Sequence, residues 1–116
     1  MDIYHAWFNR KPEVDDQELA DNIAAFMGHL KERGLIEGHR LMRCKLGLAP
    51  RALRDFHLMI ETRDMAQLDQ AFQAVSARAE PEEGFHHGVN GLVQDVMFAL
   101  YRDFPDPQRQ QGQERF

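Results

Sequence analysis

The sequence has a single cysteine, Cys44, among 116 residues. One thiol cannot close an intrachain disulfide, so nothing marks this as a fold stapled for an oxidising compartment. No apolar run approaches the roughly 20 residues that a membrane-spanning helix requires. The opening Met1-Asp2-Ile3-Tyr4-His5 lacks the basic region and apolar stretch of a secretory signal. A cytoplasmic protein with no membrane partner is therefore expected. A basic excess is missing too: 14 Lys and Arg stand against 19 Asp and Glu, a net charge of −5. That balance argues against a general nucleic-acid binder. No internal repeat is visible, and only the glutamine-rich end leans toward low complexity.

What is present suits one globular domain. Hydrophobic residues make up 43% and charged residues 28%, and the length suffices to bury a core without metal or disulfide. Residues 3–8 are aromatic and β-branched and predict a first strand. Asp15 followed by Glu18 has capping-box spacing, and Leu19, Ile23, Phe26, Met27 and Leu30 recur at helical period. Lys31 and Arg33 suit a helix C-terminus, and Gly34 supplies the stop. Strands are predicted over 38–46 and 54–62, joined by a turn around Pro50. Asp64 and Gln67 repeat the capping spacing ahead of a second helix carrying Leu68, Phe72, Val75 and Ala79, with Pro81 ending it. Residues 82–92 are hard to read: a short helix and a turn around Asn90-Gly91 are both compatible with them. A fourth strand is predicted over 93–102.

The order β-α-β-β-α-β defines an α+β, ferredoxin-like arrangement: a four-stranded antiparallel sheet with two helices on one face. Residues 1–103 form the domain and 104–116 a polar tail, which one reading lays over a partner subunit. The face without helices should be polar if it meets water. It is not, because the strands are substantially apolar on both sides. A second copy is the simplest cover, and a symmetric homodimer follows.

Several segments carry a resemblance: Ile3-Tyr-His-Ala-Trp-Phe-Asn9, Gly28-His-Leu-Lys31 with Gly34-Leu-Ile36, Phe56-His-Leu-Met-Ile-Glu61 and Phe98-Ala-Leu-Tyr-Arg-Asp-Phe-Pro-Asp106. They look like a group of uncharacterised small bacterial proteins. More broadly the chain resembles the dimeric α/β-barrel superfamily, which includes stress-responsive domains, small quinone-forming monooxygenases and haem-degrading enzymes. The resemblance implies a dimeric barrel. It brings no diagnostic catalytic motif, and the fold hosts many activities.

The residues that could carry chemistry lie on the strands. His5 and His57 sit near the middle of two strands expected to be neighbours, and are the candidate catalytic pair. If Ala6 lies under the helices, His5 and Trp7 share the opposite face with His57 and Glu61. Trp7 and Tyr101 would then form an aromatic wall, and Arg43 would hold an anionic group. Trp7, Arg43, Glu61 and Tyr101 are thus the candidate ligand-binding set. The bland alternative pairs His57 and Glu61 with Arg43 and Lys45 for structural reasons. Met42, Cys44 and Leu46 are expected to face the helices. His5, His57, His86, His87 and Glu61 are suitable metal ligands by type, yet no pair has a recognised spacing, so no metal or other cofactor is expected. The basic stretch over 31–54 reads as a charged edge strand. Three functions stay open: a dimeric small-ligand-binding or stress-associated domain, a cofactor-independent monooxygenase-like enzyme acting on a small aromatic or quinone-like substrate, and a structural dimerisation module.

Overall fold

The computed structural model describes residues 1–105 of the chain. The expectation that the tail covers a partner falls largely on residues 106–116, outside the described residues. Four strands are present: β1 (Asp2–Arg10), β2 (Gly38–Arg43), β3 (Phe56–Thr62) and β4 (Val93–Arg102). They form one antiparallel sheet in the order β2-β3-β1-β4. Three helices accompany them: α1 (Asp16–Glu32), α2 (Met65–Ser76) and α3 (Glu82–Asn90).

Two expectations are corrected here. The sheet is open and does not close into a barrel, because β2 and β4 each pair with one neighbour only and leave two edges. The helices number three rather than two, because residues 82–90 form α3. That helix starts after Pro81 with no side-chain cap, and Gly84 and Gly88 interrupt its pattern, so local propensity gives it little support. Tertiary contacts supply the rest. Glu82, 3% exposed, ion-pairs with Arg33 at the end of α1. The His29 ring stacks on Phe85 with centroids 4.7 Å apart, and the Asn22 amide donates to the Gly88 carbonyl at 3.0 Å.

The other helices begin where their capping residues stand. Asp15 accepts a hydrogen bond from the Gln17 amide at 2.7 Å, and Asp64 accepts from the Gln67 amide at 2.9 Å. Each cap satisfies an otherwise orphaned N–H. Gly34, with φ +71°, follows α1 in the left-handed region that glycine tolerates. β2 stops at Arg43 rather than reaching residue 46; Leu46 and Gly47 beyond it take positive φ and leave the sheet.

Alternation along the strands separates two faces. Ala6, Phe8, Phe56 and Leu58 point toward the helices and join Leu19, Ile23 and Met27 in the core. Leu19 is fully buried and Ile23 1% exposed. Side chains of this kind each contribute about 1.5–3 kcal/mol by leaving water. At one end of the sheet Asp2, 4% exposed, is held by Arg102, while its carbonyl accepts from the Thr62 hydroxyl at 2.8 Å. At the other end β4 carries a bulge between the partners of Trp7 and Asn9. Asp95 sits there at φ +57°, steadied by the Asn9 amide at 3.1 Å and, through its carbonyl, by Arg54 at 3.0 Å.

Candidate functional site

Two places in the molecule gather chemistry, and the sheet separates them. The first is the face without helices. Ala6 lies under the helices, so His5 and Trp7 point to the open side. Trp7 stands directly opposite His57, and His5 two pairs further along, opposite Met59. That register brings the two imidazoles together diagonally: His5 Nδ1 and His57 Nε2 are 2.8 Å apart. Trp7 stacks on His57 at 4.4 Å between centroids and 15° between planes. His5 stacks on Trp7 at 5.4 Å and meets the edge of Tyr101 at 5.2 Å.

One nitrogen of the histidine pair donates and the other accepts, so at least one ring is neutral. Burial lowers the pKa of His5 below its ordinary value. Burial also lowers that of His57, and the charge on His5 adds to the effect. Both rings are therefore held toward the neutral form, able to pass a proton but reluctant to keep one.

Glu61 also belongs to this face, opposite Ile3 and Gly38. Arg43 does not. It pairs with Phe56, on the helix side, and its guanidinium donates to Asp16 at 2.7 Å. Leu41, opposite Leu58, likewise faces the helices, while Met42, opposite His57, faces the open side. The expected orientation of β2 is thus reversed by one residue, which exchanges every side chain between faces. Cys44 lies beyond the strand and donates its amide to the Asp55 carbonyl. Among the described residues no three His, Cys, Asp or Glu side chains gather as a metal-binding group.

The second place lies on the helix side and was not anticipated from the sequence. The helices leave a cavity of about 220 Å³ between themselves and the sheet. Ile23, Met27, Ala71 and Leu58 contribute to its walls. Its lining includes Phe72 of α2 with Val96 and Phe98 of β4, which are 47%, 38% and 59% exposed. These exposed members mark its mouth, between α2 and the β4 edge. Phe98 and Leu100 face the helix side by register, opposite Ala6 and Tyr4. They stay exposed, since β4 packs chiefly on β1 and only sparsely on any helix among the described residues. Tyr4 forms part of the wall, its ring stacked on Phe98 at 5.5 Å and meeting Phe72 edge-on at 5.1 Å. The only sequence signal for this site was a helix stripe continuing to Phe72 and a strand apolar on both faces, and both read equally well as ordinary core.

This order of strands, with helices on one face, is that of a ferredoxin-like protein. The chain belongs to DUF6614, a family of unknown function, which matches it over residues 1–116. No curated protein matches it. Among solved structures it is similar to the At3g17210 protein of Arabidopsis thaliana, with a TM-score of 0.71 and 7% identity, covering 89% of this chain and 95% of that one. A protein of Jannaschia sp. CCS1, described as a dimeric ferredoxin-like protein of unknown function, gives 0.65 at 12% identity over 89% of this chain and 100% of its own. The hydroxynitrile lyase of Passiflora edulis gives 0.59 at 14% identity, covering 91% and 97%. At such identities these likenesses establish the fold. Among the described residues, no helix is long and apolar enough to cross a membrane.

Proposed function

We propose that this protein is a homodimeric small-molecule-binding domain, in which the open sheet face joins a second copy and the cavity on the helix side receives the ligand. The observation that carries the reading is the cavity itself: about 220 Å³ of largely apolar space, open at the β4 edge. A concave, largely apolar space with a few polar groups is the usual form of a small-molecule site, and a ligand that fills it stabilises the folded chain. The dimer is supported by the composition of the other face. Trp, Tyr, Met and Arg are the residue types enriched in subunit interfaces, and Trp7, Tyr101, Met59 and Arg40 all point there. The similar Jannaschia protein is described as dimeric. A cytoplasmic setting fits the unpaired Cys44.

The test is binding of naphthalene, followed through the methyl resonances of the cavity walls. Saturable binding that Ala71→Phe abolishes is expected. Absence of saturable binding in the wild-type protein would remove the cavity from the account.

A second reading rests on the neutral His5–His57 pair. In a dimer its nitrogens would be enclosed with Trp7, Glu61 and Tyr101, an arrangement suited to cofactor-independent proton transfer on a small aromatic or quinone-like substrate. Arg43 is outside that set, since Asp16 already holds it. His57→Ala should then leave the dimer intact while abolishing turnover in an oxygenase screen. Wild-type protein without turnover would count against it.

A further inference from the structure

The cavity has few polar groups, and their condition limits what can fill it. Tyr4, His86 and Asn90 contribute to the lining. None of the three side chains has a hydrogen-bond partner among the described residues. Asn90 is exposed and Tyr4 and His86 are half-buried, so their polar groups are held by water alone and are available to an occupant that displaces it. Burial raises the pKa of Tyr4, which keeps the phenol protonated and able to donate. His86 and Asn90 are four residues apart on α3, hence on one face of the helix. Both also line a vestibule of about 520 Å³ beside the cavity, together with Phe72 and Val75. They therefore stand at the junction of the two spaces.

The charge around this route is balanced. No Lys, Arg, Asp or Glu contributes to the cavity lining. The vestibule offers one cation and one carboxylate, Arg78 and Glu83. An ionised head group entering the cavity would lose its hydration with no counter-charge to replace it. Size sets a second limit. An apolar cavity of about 150 Å³ holds one benzene ring, and drug-sized ligands occupy pockets of about 300 Å³ and more. A volume of about 220 Å³ falls between them.

We infer that the cavity selects an uncharged, one- or two-ring apolar molecule bearing a single hydrogen-bonding group, with Tyr4, His86 and Asn90 as its specificity determinants. This rests on the cavity being the ligand site and goes further by naming what it prefers. A phenol or alcohol both donates to and accepts from the three side chains. A hydrocarbon of equal size leaves them unpaired, and a carboxylate is excluded by its charge.

Three probes of one shape separate these cases: naphthalene, naphthol and naphthoate, titrated at neutral pH into the full chain. Naphthol should bind about tenfold more tightly than naphthalene, the value of one well-made hydrogen bond, and naphthoate more weakly than either. Tyr4→Phe and Asn90→Leu should shrink the advantage of naphthol over naphthalene to within about twofold, with native circular dichroism showing that the variants are folded. Equal wild-type affinities for naphthol and naphthalene would overturn the assignment while leaving the cavity as a binding site. Tightest binding by naphthoate would overturn it as well. Failure of all three to bind would instead overturn the underlying reading of the cavity.

Discussion

The two faces of the sheet are made from alternate residues of the same strands, and they end in different states. On the helix side Leu58 and Phe56 are each 6% exposed and belong to the core. On the open side their neighbours His57 and Met59 remain half-buried, flanked by strand neighbours such as His5, Trp7 and Met42. The first face completes a single chain. The second carries the residue types of an interface. Because strand side chains alternate with period two, one segment such as Phe56–Thr62 serves stability and association at once. The cavity adds a qualification: even the covered face is unfinished where β4 passes beyond the helices.

Neighbouring substitutions on β3 and β1 test the separation. Leu58→Ala should show the largest effect, a loss of about 2–5 kcal/mol in unfolding free energy, measured by urea titration. Trp7→Ala, on the other face, should weaken the dimer by about 2 kcal/mol or more, roughly thirty-fold in dissociation constant, when followed by sedimentation. Its monomer should keep native circular dichroism. If Trp7→Ala unfolds the chain and leaves association untouched, the two faces have been assigned the wrong way round.

A smaller effect follows from the histidines. Both pKa values are lowered in the folded protein, from an ordinary value of 6.5. The unfolded chain therefore binds more protons than the native one below that value, and stability rises with pH there. The contribution is fully present above about pH 6.5 and is lost as pH falls toward the folded values. His57→Gln should flatten the pH dependence of the urea midpoint between pH 6.5 and pH 5; an unchanged slope would mean that other groups set it. The smallest effect is expected at Asp64→Ala, about 1 kcal/mol from the lost cap. It should lower the melting temperature and leave the association constant unchanged, since α2 lies on the covered side.

Much of this architecture was legible in the sequence for local reasons. Asp15 and Asp64 announce helices because a carboxylate at that position bonds to the first free amides. β4 was readable at its full extent, since the run Val96 to Tyr101 is apolar or aromatic throughout and free of Gly and Pro. His5 and His57 could be paired because both fall within strands expected to be central neighbours. What escaped depends on contacts between elements. β2 presents Leu41 and Met42 side by side, so alternation alone cannot choose its face; the Arg43–Asp16 ion pair and the register with Phe56 decide it. α3 lacks a cap and is held across to α1 by Asn22, His29 and Arg33. The open sheet, where the resemblance implied a barrel, depends on edge pairing that no single strand encodes. The cavity lies where all three helices meet the sheet, a fact of placement with no signature in any one segment.

The division between the faces can be tested in one methyl-selective NMR experiment. Met42, Met59 and Met97 report on the open face, and Ala71, Val75 and Val89 on the cavity. Naphthol titrated into the dimer should move the alanine and valine methyl resonances and leave those methionines in place. Shifts at Met59 and Met97, with Ala71 and Val89 unmoved, would put the ligand on the histidine face and contradict the account.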